Sequence, residues 1–215
     1  MSRTEPRYPP LDAARQILLP PGGALDHVSG WLAADQSEAI LCQLTQALEW
    51  QQPEIALFGR SHPIPRLQAW IGEPDADYRY SGRTFTPAPW HSALARLRDQ
   101  LSSTIGTPFN SVLANLYRDG NDCMHWHADD EPELGPEPCI ASLSLGATRD
   151  FLLQPRDRHR GSLKVTLCSG DLLVMRGAVQ QHWRHSLPRR RRVSDHRINL
   201  TFRQVARHTA GPVHR

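Results

Sequence analysis

The second half of the chain is a succession of short apolar segments interrupted by Gly, Pro and Asp, and this pattern constrains the fold more than any other feature. After residue 108 the segments are SVLANLYR, CIASLSLG, DFLLQP, SLKVTLC, DLLVMRG and RINLTFR. In SLKVTLC, Leu163, Val165 and Leu167 alternate with Ser, Lys and Thr, which is typical of a strand with one buried face. The pattern predicts a run of about eight strands.

Two helices are predicted before these strands. Apolar residues recur at helical spacing between residues 35 and 50, where Asp35 and Glu38 resemble a capping box. A second stretch from 90 to 105 has the same period and a proline near its start. Helices followed by strands predict an α+β protein in which the N-terminal helices pack on one sheet of a two-sheet β-sandwich or jelly roll.

The length of 215 residues fits one domain. Residues 1–22 contain several prolines and residues 206–215 are short and polar, so we expect a loose tail on each side of a single domain spanning 23–205. No apolar run approaches the roughly 20 residues that span a bilayer, and the N-terminus lacks the apolar core of a signal peptide. We therefore expect a cytoplasmic protein without a membrane partner. The absence of a heptad pattern favours a monomer.

The stretch MHWHADDE has the spacing of a metal-binding pair. His127 and Asp129 are two residues apart and would lie on the same side of a strand. His185, 56 residues after Asp129 and close to a predicted strand, can supply a third ligand. Two imidazoles and one carboxylate on one face of an iron ion leave three positions open for a cosubstrate and dioxygen.

The metal hypothesis competes with other interpretations of the same residues. The chain has eleven histidines, so an HxD pair arises easily by chance. His125 and His182 compete as ligands, although the position two residues beyond His125 is another histidine and not a carboxylate. A zinc hydrolase would use similar ligands, so the triad alone does not name the metal.

Five motifs, in order and with compatible spacing, resemble the AlkB family of Fe(II)- and 2-oxoglutarate-dependent dioxygenases, and most of all its double-stranded-DNA repair branch. They are NLYRDG at 115–120, HADDE at 127–131, IASLSLGATRDF at 140–151, HSLP at 185–188 and RINLTFR at 197–203. The resemblance extends over roughly residues 55–204 and implies a double-stranded β-helix, the jelly roll of this family. Ala128 departs from the pattern, because many members carry arginine there, but this position does not bind metal.

The resemblance implies that His127, Asp129 and His185 hold Fe(II), which 2-oxoglutarate chelates through its 1-carboxylate and 2-oxo group. It implies four protein partners for the cosubstrate: Arg197 for the far carboxylate, Arg203 for the carboxylate region near the iron, and Asn115 and Tyr117 for neutral hydrogen bonds. A buried dicarboxylate needs charge-assisted donors of fixed geometry, which arginine provides. Both arginines fall on one face of the strand RINLTFR and can point inward together.

The activity that the resemblance implies is oxidative dealkylation of 1-methyladenine or 3-methylcytosine in DNA, with release of formaldehyde, succinate and carbon dioxide. The corresponding substrate residues are Tyr78, Tyr80, Glu131, Arg66 and Phe58. The two tyrosines would replace the stacking that a flipped base loses, and Glu131 would favour a cationic methylated base. Arg66 would shape the pocket, and Phe58 would act as a wedge in duplex DNA.

Several alternatives remain open from the sequence. An RNA demethylase would have the same metal and cosubstrate sites. A 2-oxoglutarate oxygenase acting on protein or lipid would not be inhibited by nucleic acid. A zinc hydrolase, or a binding module without enzymatic activity, would not consume 2-oxoglutarate. The arginine run at 189–192 is typical of a solvated loop, and phosphate contact is the sharper hypothesis for it.

Overall fold

The structure is a computed structural model that describes residues 8–57, 60–76, 78–80, 83–157 and 161–206. These residues form two long helices, α1 (Ala34–Ala47) and α2 (Ser92–Ile105), and a one-turn helix, α3 (Val179–His182). They also form fifteen strands: β1 (Arg15–Leu19), β2 (Gly23–Val28), β3 (Glu54–Leu57), β4 (Arg60–Pro63), β5 (Leu67–Gly72), β6 (Tyr78–Tyr80), β7 (Arg83–Phe85), β8 (Ser111–Tyr117), β9 (Met124–His127), β10 (Ile140–Gly146), β11 (Arg149–Pro155), β12 (Leu163–Leu167), β13 (Leu172–Gly177), β14 (Trp183–Leu187) and β15 (Arg197–Arg203).

Two antiparallel sheets make up the core of the fold. The major sheet has seven strands in the order β1-β2-β13-β10-β15-β8-β5, and the minor sheet has four in the order β12-β11-β14-β9. The hairpins β3–β4 and β6–β7 form separate two-stranded sheets. This arrangement confirms the predicted α+β fold with a double-stranded β-helix core.

The residues of β15 show how alternation sets the two faces of the major sheet. Ile198, Leu200 and Phe202 are fully buried in the core beneath the helices. The residues that alternate with them, from Arg197 to Arg203, line a cavity on the opposite face. Because alternate residues of a strand point to opposite faces, one seven-residue segment contributes both to the core and to the cavity.

Both long helices cover the outer face of the major sheet, as predicted. Leu44 of α1 and Leu94, Leu97 and Leu101 of α2 join the apolar side chains of the sheet in one buried cluster. Burial of a leucine side chain contributes about 1.5–3 kcal/mol, so the apolar faces hold these helices in place. Gly106 ends α2 with a φ of 75°, in the left-handed region that favours glycine.

The expected loose tail over residues 1–22 is wrong for its second half. Strand β1 pairs with β2 in the major sheet, with Leu19 opposite Gly23, and Leu19 is only 2% exposed. Strands therefore precede the helices as well as follow them. The strand escaped the sequence analysis because it lies at the sheet edge and buries only this one side chain, which leaves no clear period. Residues 207–215 of the expected C-terminal tail lie outside the described residues.

The predicted capping box of α1 is also wrong. The helix begins at Ala34, one residue before Asp35, and Ala33 occupies the N-cap without a side-chain hydrogen bond. Tertiary packing outweighs the weak local preference for an acidic or hydroxyl cap here. In the described ranges, no helix combines the length and the hydropathy needed to cross a membrane.

Candidate active site

A cavity opens between the two sheets and is lined from both sides. At one end, apolar side chains including Leu25, Leu153, Leu173 and Trp183 fill the space between the sheets. At the other end the lining contains most of the polar groups, which come from β8, β10 and β15 of the major sheet, from β9 and β14 of the minor sheet and from Asp129 after β9. The polar lining includes all seven residues that the sequence analysis assigned to metal and cosubstrate: Asn115, Tyr117, His127, Asp129, His185, Arg197 and Arg203.

The structure brings the three predicted metal ligands together. One donor atom from each of His127, Asp129 and His185 lies within 4.8 Å of the others. The two histidines are directly opposed across the β9–β14 pair, and their ring centroids are 4.2 Å apart. Their convergence therefore follows from strand register.

The prediction that strand alternation places Asp129 beside His127 is wrong. Strand β9 ends at His127, so Asp129 follows the strand and is not placed by alternation. Its backbone N–H donates to the side-chain oxygen of Gln180 at 3.0 Å, and its carboxylate accepts from Arg203 at 2.9 Å. Side-chain contacts with other elements hold this ligand at the site.

The charges of the triad suit a divalent cation. Burial raises the pKa of Asp129, but Arg203 and the two imidazoles outweigh it and bring the pKa down to about 2. Burial, with a smaller contribution from the nearby His127, lowers the pKa of His185 to about 3. Burial also lowers the pKa of His127. At neutral pH the cluster therefore offers two neutral imidazoles and one carboxylate.

Hydrogen bonds show how the imidazoles can act as ligands. The carbonyl of His125 lies 2.8 Å from Nδ1 of His127 and accepts its proton, which leaves Nε2 as the lone-pair atom facing Asp129 at 3.7 Å. In the described part of the chain, Nδ1 of His185 is buried without a hydrogen-bond partner. Neutral imidazole and carboxylate donors fit Fe(II). The competing candidates His125 and His182 are exposed and lie outside the cluster.

The residues predicted to bind the cosubstrate lie around a buried cation. Arg197 is 1% exposed and donates to the hydroxyl of Ser144 at 2.6 Å, while its Nε is buried without a partner among the described atoms. Burial lowers the pKa of Arg197 to about 10, so it remains a cation at neutral pH. Tyr117 lies directly opposite Arg197 across the β8–β15 pair. Burial raises the pKa of Tyr117, which keeps its hydroxyl protonated.

The predicted substrate residues are only partly described. Arg66 is buried, and its Nε donates to the side-chain oxygen of Asn115 at 2.8 Å, so it supports one wall of the cavity. Glu131 is half-buried and precedes a 3-10 turn at Pro132–Leu134. Tyr78 and Tyr80 lie on β6, paired with β7, but the positions of their side chains lie outside what is described.

Phe58 itself lies outside the described residues. It falls between β3 and β4, which pair as an antiparallel hairpin with Leu57 opposite Arg60. Strands β3 and β4 therefore form a hairpin on either side of this position in the chain, and the wedge role of Phe58 stays a prediction.

Arg149 is a residue of the site region to which the sequence analysis gave no role. It is 2% exposed and donates to the backbone carbonyls of Asp119, Asp122 and Pro188. Its guanidinium lies over the ring of Tyr117 at 5.8 Å. It therefore joins two loops and supports the tyrosine at the cosubstrate end. Its position within IASLSLGATRDF was the only available signal.

The comparisons with known proteins agree with this geometry. The 2OG-Fe(II) oxygenase superfamily pattern matches residues 24–203. The DNA oxidative demethylase ALKBH2 of Mus musculus is 42% identical over 180 residues, which cover 79% of this chain and 75% of that protein. The alpha-ketoglutarate-dependent dioxygenase alkB homolog 3 of Homo sapiens is 39% identical over 212 residues, covering 94% of this chain and 73% of that protein.

A solved structure shows the same fold. The structure of OsALKBH1 aligns with a TM-score of 0.60 at 19% identity and covers 88% of this chain and 100% of that chain. The fold and the His–Asp–His site define an oxygenase that uses Fe(II) and 2-oxoglutarate. Within that superfamily, the chain belongs to the AlkB family, in the branch that contains ALKBH2 and alkB homolog 3. The resemblance stated from the motifs is confirmed.

Proposed function

We propose that this dioxygenase repairs alkylated DNA by oxidative dealkylation of bases of the 1-methyladenine and 3-methylcytosine type. The observation that carries the proposal is the presence, in one cavity, of a His–Asp–His cluster and of buried arginines suited to a dicarboxylate. The similarity to a DNA oxidative demethylase, at 42% identity, supports DNA as the substrate.

In this proposal His127, Asp129 and His185 hold the iron. Arg203 keeps Asp129 ionised, and the carbonyl of His125 fixes the tautomer of His127. When bound, Fe(II) and 2-oxoglutarate supply the oxidising power that hydroxylates an N-methyl carbon, with dioxygen as the oxidant and succinate and carbon dioxide as products. The hydroxylated methyl group then leaves as formaldehyde, and the base is restored without excision.

Arg197 is the proposed partner of the far carboxylate of 2-oxoglutarate. Its position deep in the cavity excludes water, so the charge-assisted bond is strong. Tyr117 lies beside it on the neighbouring strand and offers a neutral hydroxyl. At the other end, Arg203 and Asn115 face the carboxylate nearest the metal. Two fixed cations at the two ends align the cosubstrate along the cavity.

We assign base recognition to five residues: Tyr78, Tyr80, Glu131, Arg66 and Phe58. The tyrosines stack on the flipped base, and Glu131 selects the cationic methylated form over the neutral normal base. Arg66 shapes the cavity wall through its bond to Asn115. Phe58, which falls between β3 and β4 in the sequence, fills the gap that a flipped base leaves in a duplex.

RNA is the alternative substrate class, because the metal and cosubstrate sites would be the same for both nucleic acids. A protein substrate is the second alternative. We further propose that the enzyme acts as a monomer in the cytoplasm without a membrane partner, as expected from its size and composition.

The test is mass spectrometry of oligonucleotides that carry 1-methyladenine, presented as single-stranded DNA, duplex DNA and RNA. Each is incubated with the protein, Fe(II), 2-oxoglutarate and ascorbate, beside an Asp129→Ala control. Loss of one methyl group, fastest from DNA and absent in the control, is the expected result. Faster loss from RNA would assign the enzyme to RNA. Succinate formation without methyl loss from any oligonucleotide would refute a nucleic-acid substrate.

A further inference from the structure

Asp129 is the one proposed metal ligand that no strand positions. His127 and His185 are fixed by the β9–β14 pairing, whereas the chain after His127 leaves the sheet and runs through a loop to the turn at Pro132–Leu134. The carboxylate must nevertheless lie within a few ångströms of both imidazoles. Some other element has to fix the backbone at Asp129.

The one-turn helix α3 supplies that support through Gln180. This side chain is 1% exposed, and its Oε1 accepts from the backbone N–H of Asp129 at 3.0 Å. Its Nε2 lies 3.4 Å from the sulfur of Met175. The sulfur is only an acceptor for this amide, so the contact turns the oxygen of the amide toward Asp129.

Two further contacts tie the same loop to α3. Arg156 donates through Nη2 to the backbone carbonyl of Gln180 at 3.1 Å and also pairs with the carboxylate of Asp130. Gln181 donates to the carbonyl of Pro136 at 2.7 Å. Asp130 is therefore linked to α3 through Arg156, and Pro136 is bonded to α3 directly.

We infer that Gln180 is a positioning residue for the metal site, which fixes the backbone of Asp129 so that its carboxylate faces the two imidazoles. Arg203 already bonds Oδ1 of this carboxylate, so a small rotation at Asp129 would change which oxygen reaches the metal. Groups that orient a ligand without touching the metal change metal affinity by about 10–100-fold when removed. The inference rests on Asp129 being a ligand, as proposed above.

The test compares Gln180→Met with the control Gln46→Met on α1. Methionine keeps the volume of glutamine but offers the Asp129 N–H only a weak sulfur acceptor, while Gln46 is exposed on a helix that covers the outer face of the major sheet. Co(II), which is stable in air, is titrated into metal-free protein and followed by its visible absorption. We expect the Gln180→Met variant to bind Co(II) at least about tenfold more weakly, and the control to bind within twofold of the wild type.

A second variant covers the case in which Gln180→Met does not fold. Asp130 is exposed, so Asp130→Asn keeps the fold while it weakens the link to Arg156. It should weaken Co(II) binding in the same direction and by a smaller factor.

Asp129→Ala separates two kinds of failure. The positioning role is wrong, and the metal site stands, if Asp129→Ala abolishes Co(II) binding while folded Gln180→Met binds Co(II) like the wild type. If Gln180→Met does not fold, wild-type binding by Asp130→Asn leads to the same conclusion. If Asp129→Ala itself binds Co(II) normally, the ligand assignment is wrong. The Michaelis constant for the methylated oligonucleotide at saturating Fe(II) distinguishes a local effect from a general loss of structure. We expect it to be unchanged in Gln180→Met, whereas a general loss of structure would raise it.

Discussion

Replacement of Arg203 by methionine should expose how strongly the metal-free site depends on one buried ion pair. Arg203 and Asp129 are joined at 2.9 Å, and their side chains are 4% and 5% exposed. Removing one partner of such a pair leaves a buried charge without compensation, at a cost of about 3–5 kcal/mol. We expect Arg203→Met to lower the free energy of unfolding at pH 7 by this amount. Methionine keeps much of the apolar volume, so little of the loss will come from packing.

The pH dependence gives the prediction a sign. In the wild type the folded pKa of Asp129 is about 2, below the unfolded value of about 3.9, so its contribution is present above pH 3.9 and is lost as the pH falls toward 2. Without Arg203, the effect of burial dominates and raises the folded pKa. The variant should therefore lose stability as the pH rises above 3.9 toward that raised pKa, opposite to the wild-type trend.

Urea unfolding in EDTA measures both effects, with Asp129→Asn and the double variant completing a mutant cycle. In the double variant no carboxylate remains at position 129, so it should recover a large part of the loss seen in Arg203→Met. A cost below about 1 kcal/mol for Arg203→Met, or additive effects of the two substitutions, would show that this pair does not control the site.

Two further predictions concern the histidine and a loop contact. Burial brings the pKa of His185 to about 3 in the folded protein, so as the pH falls this imidazole is protonated in the unfolded state before it is protonated in the folded state. The free energy of unfolding of the metal-free protein should therefore fall by about 2 kcal/mol between pH 6.5 and 5. In urea unfolding, the free energy of unfolding should change less steeply with pH in His185→Gln than in the wild type. The same pH dependence in both proteins would contradict this. At Gly120, an added Cβ would overlap the backbone carbonyl of Arg190, so Gly120→Ala should displace the arginine loop at 189–192. Fluorescence anisotropy should then show weaker binding of methylated duplex DNA with normal Co(II) affinity, and unchanged DNA binding would argue against a role for the loop.

The strands and helices whose apolar residues recur at regular spacing could be predicted from the sequence. The period of two in RINLTFR places apolar residues in the core and arginines in the cavity, and the structure confirms both faces. The helical period similarly identified α2, whose leucines are buried. Strand β1 could not be found in this way, because an edge strand with one buried side chain carries almost no periodic signal.

The contacts that complete the site could not be predicted in the same way. Gln180 lies 51 residues from Asp129, and its role depends on how α3 meets the loop after β9. Arg149 donates to backbone carbonyls, and every residue has one. Its partners therefore cannot be recognised from the residue types in the sequence. The motif identified the three proposed metal ligands, whereas the contacts that orient them emerge only when the sheets are assembled.

The charges of the cavity predict that metal and cosubstrate assist each other. Among the described lining residues, Asp129, Arg197 and Arg203 are charged at neutral pH, which gives a net +1. A divalent metal alone would enter a site that already holds excess positive charge, whereas a dicarboxylate entering with it leaves the net charge unchanged. Binding free energies are reciprocally linked, so each should tighten the other by the same factor. Titration of Co(II) with and without 2-oxoglutarate measures that factor. Equal affinities would mean that the cosubstrate does not bind beside the metal. Arg197→Met brings the net charge of the lining to zero, so it should tighten the binding of Co(II) alone and reduce the coupling.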